Sequence, residues 1–138
     1  MRLILTGSRA AGTLCRSCAR ANGHFDMENL KIDYVEFPAI KLEETQEFFG
    51  KAFGWSFIDY GPDYRDIQNA GTGGGIERAD VMRAPLIVLR AVDLDAAYAQ
   101  VKAAGATITH EIFDFPGGRR FEFIEPSGTA MAVWSDPA

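Results

Sequence analysis

The chain has 138 residues, a formal net charge of −5 and 47% hydrophobic residues, including ten Phe and two Trp. This length suits one domain, and this hydrophobic fraction fills an ordinary core, which argues against a disordered body. Residues 1–26 carry +3, from four Arg and one acid, whereas residues 27–138 carry −8, from ten basic and eighteen acidic residues. An acidic body without a Lys/Arg stripe excludes a nucleic-acid-binding surface, and the apolar runs are too short for a membrane span.

The first 26 residues differ from the rest in charge and show no sustained periodicity. Three interpretations stay open. An Arg-bearing segment nearly free of acids is typical of a targeting peptide, and Cys15, Cys18 and His24 offer three metal ligands without a second pair. The interpretation we favour is a disordered tail or a start assigned too early, since Met27 precedes the first convincing strand. Both cysteines lie here, so residues 27–138 contain no disulfide, as is usual in the cytoplasm.

The first half of the body is predicted to contain a strand, a helix and three further strands. Pro38 is expected to end the first strand because it has no N–H to donate, and Gly54 is expected to end the helix with a positive φ. Three glycines at residues 73–75 are expected to form a bend or bulge, since no Lys-Ser/Thr follows as in a phosphate loop. The predicted ranges are strand 32–37, helix 42–53, and strands 55–60, 64–69 and 76–77.

The second half repeats this order at an offset of about fifty residues, which indicates a duplication. Asp93 is a suitable N-cap for the second helix, and Gly105 ends it. The predicted ranges are strand 86–92, helix 94–104, and strands 106–112, 121–125 and 129–134. The predicted fold is α+β, with two βαβββ repeats forming curved mixed sheets around a cleft.

In their order and spacing, four segments resemble the vicinal oxygen chelate superfamily, which includes glyoxalase I, bleomycin-resistance proteins and extradiol dioxygenases. The resemblance implies that residues 27–138 form a glyoxalase/bleomycin resistance-like domain and that the protein is a homodimer. The segments are IDYVEFP at residues 32–38, FFGKAFGW at 48–55, VDLDAA through AGA at 92–106, and EPSGT at 125–129.

The resemblance also implies four metal-ligand positions, which His or Glu occupies in metal-dependent members. Here Tyr34 stands at the first, Leu86 (within one residue) at the third and Ala132 at the fourth, while the second lies near Asp66 or Gln68. Leu and Ala cannot coordinate a cation, and neutral Tyr is a poor ligand. We therefore predict neither the usual metal site nor a cofactor. The body's only histidine, His110, lies outside these positions and is expected to decorate a strand rather than act as a base.

Side-chain alternation along the strands sorts residues between the helix face and the cleft. Val35 and Phe37 are predicted to pack beneath the helices, as are Met131 and Val133. Near residues 117–118, Arg119 or Arg120 is similar to a Gly-Arg pair of several metal-free members. The candidate ligand-binding residues are Tyr34, Glu36, Gln68, Arg90, Arg120, Glu122 and Trp134.

In the functional interpretation, Tyr34 and Trp134 provide stacking surfaces, and the charged or amide side chains orient polar groups of a ligand. In the alternative, Glu36 forms a structural ion pair with Arg90 or Arg120, and Trp134 is a core or dimer residue.

The leading functional hypothesis is a metal-independent protein that binds a small organic ligand, with sequestration of that ligand as one role. The second is a glyoxalase-like lyase or isomerase with Glu36 or Glu122 as base, or with a non-standard metal site. The third is an interaction domain without a cleft.

Overall fold

The computed structural model describes residues 29–138 and shows the predicted repeat of one strand, one helix and three strands. The α+β fold class is confirmed, and the predictions for residues 1–26 lie outside the described residues. The elements are β1 (Lys31–Ala39), α1 (Leu42–Phe53), β2 (Ser56–Asp59), β3 (Tyr64–Gln68), β4 (Gly73–Arg78), β5 (Leu86–Arg90), α2 (Leu94–Ala103), β6 (Thr107–Phe115), β7 (Gly118–Ile124) and β8 (Ala130–Ser135).

The eight strands form one open mixed sheet in the order β2-β3-β4-β1-β5-β8-β7-β6. In each repeat the first strand pairs in parallel with the last, β1 with β4 and β5 with β8. The two repeats join through the antiparallel pairing of β1 with β5, in which Glu36 lies opposite Leu86 and Tyr34 opposite Val88. The cleft is therefore built on one continuous sheet that spans both repeats.

The two helix caps that the sequence predicts, Gly54 at the end of α1 and Asp93 at the start of α2, are both present. The helix α1 ends at Gly54, which has a φ of 76°. The side chain of Asp93 accepts a hydrogen bond of 3.1 Å from the backbone N–H of Ala96 and so caps the start of α2. With twelve and ten residues, the helices of residues 29–138 are too short to cross a membrane.

Two hydrophobic clusters attach the helices to one face of the sheet. Phe37 packs against the cluster beneath α1, and Met131 and Val133 belong to the cluster beneath α2. This confirms the predicted assignment of faces on β1 and β8. Because side chains alternate along a strand, Tyr34 and Glu36 project from the opposite face, away from the helices.

Two local predictions are wrong. The strand β1 continues through Pro38 to Ala39. Because β5 begins opposite Glu36, the last residues of β1 pair with β4 alone. Their other side is an unpaired strand edge, which tolerates proline. Residues 73–75 are regular β4 strand rather than a bend. A Cβ atom at Gly73 would lie 2.9 Å from the Tyr34 ring, so glycine here allows close packing of a neighbouring side chain.

Replacing Phe121 with Ala tests the core beneath α2. Phe121 is 0% exposed, so Phe121→Ala should lower the free energy of unfolding by about 3 to 5 kcal/mol, because it leaves a cavity. The matched substitution at Phe48, which is 59% exposed, should cost about 1 kcal/mol or less. Urea unfolding followed by circular dichroism measures both, and equal losses would show that Phe121 does not anchor this core.

Candidate functional site

A cavity of about 530 Å³ lies on the sheet face opposite the helices. Its wall combines residues of both repeats, and Pro85, Leu86 and Ala130 provide apolar surface. The charged side chains that line it are Glu36, Glu77, Arg83, Arg120 and Glu122. The cleft that the sequence predicts therefore exists and holds three of the seven candidate residues.

Glu36 is the buried acid of this cavity, with 5% of its surface exposed. The Tyr64 hydroxyl donates a hydrogen bond of 3.2 Å to Oε2, and Nη2 of Arg120 lies 3.7 Å from Oε1. Burial raises the pKa of the Glu36 carboxyl; the attraction of Arg120 opposes this rise but does not cancel it, and Glu77 adds to it. Glu36 therefore holds its proton to a higher pH than a solvated carboxyl does.

Arg120 connects Glu36 to a second acid on β7. Its Nη2 donates a hydrogen bond of 2.6 Å to Oε2 of Glu122, and its guanidinium lies 5.7 and 6.0 Å from the ring centroids of Phe113 and Phe115. The Nε atom of Arg120 is buried and has no hydrogen-bond partner among the described residues. Arg120 thus pairs more closely with Glu122 than with Glu36.

His110 lies next to Glu122, at the surface end of these side chains. Its Nδ1 lies 3.1 Å from Oε1 of Glu122, on the neighbouring strand, while its side chain is mostly exposed. Sequence reasoning set His110 aside because it is not at a superfamily ligand position; its cross-strand pairing with Glu122 is the structural signal that places it beside the site.

Tyr34 and Tyr64 form a second polar cluster beside Glu36. Their hydroxyl oxygens are 2.5 Å apart, and the Tyr34 hydroxyl also lies 3.2 Å from Oδ1 of Asp66, to which it can donate. Gln68 donates a hydrogen bond to Oδ2 of Asp66. Burial raises the pKa of both tyrosines, so both phenols remain protonated at neutral pH.

Sequence reasoning did not name Tyr64, which contacts Glu36, nor Glu77 and Arg83, which line the cavity. Tyr64 is the one that alternation along a strand could have indicated. It shares one face of β3 with Asp66 and Gln68, since residues 64, 66 and 68 alternate with residues that pack toward α1, such as Ile67. That alternation was available in the sequence. Its contact with Tyr34 was not, because β3 reaches β1 only through β4.

Arg90 and Trp134 lie on the predicted sheet face but away from Glu36. Arg90 lies four residues along β5 from Leu86, the residue opposite Glu36, or about 13 Å at the rise of a strand. Its guanidinium stacks 5.0 Å from the Trp134 ring centroid and pairs with Asp136 at 2.5 Å. The indole N–H of Trp134 donates to Asp33 at 2.9 Å. These contacts hold Arg90 and Trp134 together as a separate group.

A second cavity, of about 640 Å³, lies between the start of α2 and residues 135–138. Its charged side chains pair with one another: Arg90 with Asp136, and Arg119 with Asp95 at 3.8 Å. It contains no desolvated acid or base comparable with Glu36, and we therefore place the candidate site in the cavity beside β1 and β7.

A family model described as the Glyoxalase/Bleomycin resistance protein/Dioxygenase superfamily matches residues 31–133. The chain belongs to this superfamily. Among solved structures, it is similar to the Mn(II)-bound glyoxalase from Novosphingobium aromaticivorans, with 26% identity and a TM-score of 0.65 over 80% of this chain. The match spans only 40% of that glyoxalase chain.

Two further structures show the fold of the superfamily at low identity. Methylmalonyl-CoA epimerase from Mycobacterium tuberculosis is 14% identical, with a TM-score of 0.61 over 78% of this chain and 87% of its own. A superfamily member from Vibrio splendidus 12B01 is 16% identical, with a TM-score of 0.62 over 78% of this chain and 100% of its own. No sequence among curated proteins matches this chain.

At three of the four positions where the superfamily resemblance implies metal ligands, the side chains do not fit a transition metal. Leu86 and Ala132 have no donor atom, and Tyr34 is a protonated phenol that hydrogen-bonds to Tyr64. Across residues 29–138, no three or more His, Cys, Asp or Glu side chains converge to hold a metal ion. A metal in this cavity would therefore need a ligand set different from the one that the superfamily resemblance implies.

Replacing Glu36 with Gln tests the burial of this acid. Because the carboxyl pKa is higher in the folded than in the unfolded protein, ionisation of Glu36 costs stability once the pH rises above its ordinary value of 4.5. Glu36→Gln should therefore raise the free energy of unfolding at neutral pH by about 1 kcal/mol, and this gain should vanish as the pH falls toward 4.5.

Urea unfolding from about pH 4 to about pH 8 measures the gain. The exposed Glu44 supplies the control, since Glu44→Gln should leave the pH profile unchanged. A Glu36→Gln variant that is less stable than the parent at neutral pH would show that the ion pair with Arg120 outweighs the cost of burial.

Proposed function

We propose that the chain binds a small organic molecule in the cavity beside β1 and β7, without a transition metal at the superfamily's usual positions. The observation that carries this proposal is the juxtaposition of buried Glu36 from one repeat with Arg120 from the other, at the wall of an open space of about 530 Å³. A volume of this size is typical of pockets for small ligands.

The lining indicates a ligand with both apolar and polar parts. Leu86, Pro85 and Ala130 form an apolar wall, Arg120 donates hydrogen bonds, and Glu122 accepts them. Glu36 donates when protonated and accepts when ionised. The cavity therefore suits a small molecule that carries a carbonyl or carboxylate oxygen on an aliphatic or aromatic frame.

A lyase or isomerase with Glu36 as general base is the second candidate, and the raised pKa of Glu36 favours it. A carboxyl whose pKa moves toward the working pH accepts a proton more effectively than a fully solvated one. The structural neighbours include a glyoxalase and an epimerase, so proteins of this fold include such enzymes.

Metal binding is tested by isothermal titration calorimetry of the full chain with Zn²⁺, Ni²⁺, Mn²⁺ and Fe²⁺. We expect no binding that depends on the cavity: any heat should disappear in the Cys15→Ala/Cys18→Ala variant and should be unchanged in Glu36→Gln. The double variant is needed because the two cysteines are themselves good metal ligands. Binding of one equivalent that the double variant keeps and Glu36→Gln loses would contradict the proposal.

Ligand binding is tested by thermal shift with small 2-oxo and hydroxy acids. A compound that stabilises the parent chain should bind at least about tenfold more weakly to Arg120→Met, which loses the guanidinium. The control Arg83→Met removes the other cavity arginine, whose side chain is 44% exposed against 20% for Arg120, and should have the smaller effect. Equal affinities of the Arg120 variant and the parent would place the ligand elsewhere.

The Glu36→Gln variant separates the two candidate functions once such a compound is found. If Glu36 is a general base, the variant should lose about 10²- to 10⁴-fold in turnover, whereas loss of a binding residue should change only the affinity.

The homodimer and the cytoplasmic location expected from the sequence stay predictions. Light scattering of the full chain tests the homodimer.

A further inference from the structure

Four side chains beside the cavity form an unbroken row of oxygen contacts with too few protons. Asp66, Tyr34, Tyr64 and Glu36 are joined by contacts of 3.2, 2.5 and 3.2 Å. Each contact needs one proton, but two tyrosines supply only two, and ionised carboxylates are acceptors alone. With both acids ionised, one of the three contacts would bring two lone pairs together.

We propose that these four residues form one proton-sharing hydrogen-bond chain that carries a third proton, held on Glu36. Tyr64 and Tyr34 are then positioning residues that connect the buried acid of the cavity to Asp66 on β3. This row of four residues adjoins the cavity of the proposed function, and its role in controlling Glu36 there rests on that function. The row itself forms in the ligand-free protein.

The third proton satisfies every contact in the row. In the ionised state Tyr64 donates to Oε2 of Glu36. With the third proton on Oε2 this hydrogen bond reverses, so that Glu36 donates to Tyr64, Tyr64 donates to Tyr34, and Tyr34 donates to Asp66. When Glu36 loses its proton, the two tyrosine hydroxyls reverse and donate toward Glu36, and the contact between Tyr34 and Asp66 is left without a proton. The proton can also pass along the row: one proton leaves Glu36, each tyrosine gives one and accepts one, and one arrives on Asp66.

The surroundings of the two acids place the proton on Glu36. Both carboxylate oxygens of Asp66 already accept hydrogen bonds, Oδ1 from Tyr34 and Oδ2 from the Gln68 amide. Glu36 is more deeply buried, and its nearest cation is committed elsewhere, since Nη2 of Arg120 is 2.6 Å from Glu122 but 3.7 Å from Glu36. The other charged groups that face Glu36 are Glu77 and Arg83, which pair with each other.

Gly75 gives independent geometric support for the row. On β4 it lies between Glu36 of β1 and Asp66 of β3, directly opposite both. A Cβ atom at this position would overlap the hydroxyl groups of both tyrosines. The hydroxyl groups of Tyr34 and Tyr64 meet above Gly75, which has no side chain. The glycine therefore leaves the space in which the four side chains contact one another.

A double-mutant cycle in the ligand-free full chain tests the proposal. The protonation of Glu36 is followed by carbon-13 NMR of labelled Glu carboxyls, with the Glu36 resonance assigned by its absence in Glu36→Gln. Asp66→Asn should reduce the proton affinity of Glu36 on the order of tenfold in the parent chain, and by much less in the Tyr34→Phe background. The reason is that the anion of Asp66 supports the proton on Glu36 through the tyrosine hydroxyls.

An equal effect of Asp66→Asn in both backgrounds would show that the two acids interact through space alone, and would overturn the proposal. The cycle is repeated with Tyr64→Phe, so that a folding defect in one tyrosine variant does not decide the result. Tyr60→Phe, at an exposed tyrosine, is the matched control and should leave the Glu36 titration unchanged. Because the titration needs no ligand, its outcome is separate from that of the thermal-shift screen.

Discussion

The antiparallel pairing of β1 with β5 is the constraint on which the cavity depends. It is where the two repeats join within the sheet, and it sets Glu36 opposite Leu86. Glu36 comes from the first repeat, whereas Arg120 and Glu122 come from the second. A slip of one residue in this pairing would turn every side chain of β1 to the other face and move Glu36 beneath the helices. The register of two strands therefore determines whether acid and guanidinium share one space.

The charges of the cavity are arranged as two close pairs and one remaining acid. Arg83 pairs with Glu77 at 2.7 Å and Arg120 with Glu122 at 2.6 Å, which leaves Glu36 without a cation within hydrogen-bonding distance. A buried carboxylate in this position costs stability unless it is protonated or a ligand donates to it. Such a cost is common at sites selected for binding or catalysis rather than for stability.

Alternation along single strands predicted which face a side chain occupies, but not which side chains meet. The helix-facing positions of Phe37 and Met131 were correct, and they place Tyr34 and Glu36 on the cleft face. Arg90 was also assigned to the correct face, yet its place along β5 puts it with Trp134 instead of Glu36. The distance between two side chains across the sheet depends on the register of every strand between them. Alternation within a single strand does not determine that register. The Pro38 prediction failed for a related reason: whether a strand accepts proline depends on its neighbour.

The side chains at the implied metal-ligand positions limit the chemistry that the described residues can support by themselves. The superfamily resemblance puts Leu86, within one residue, and Ala132 at two of the implied ligand positions, and these side chains offer no lone pair for a cation. The cation nearest to Glu36 is Arg120, and the group suited to exchanging a proton is Glu36. In the proposed row, the proton on Glu36 supplies the one that the three contacts otherwise lack. In the proposed function, hydrogen bonds from Arg120 and Glu36 take the place that a bound cation has in metal-dependent members.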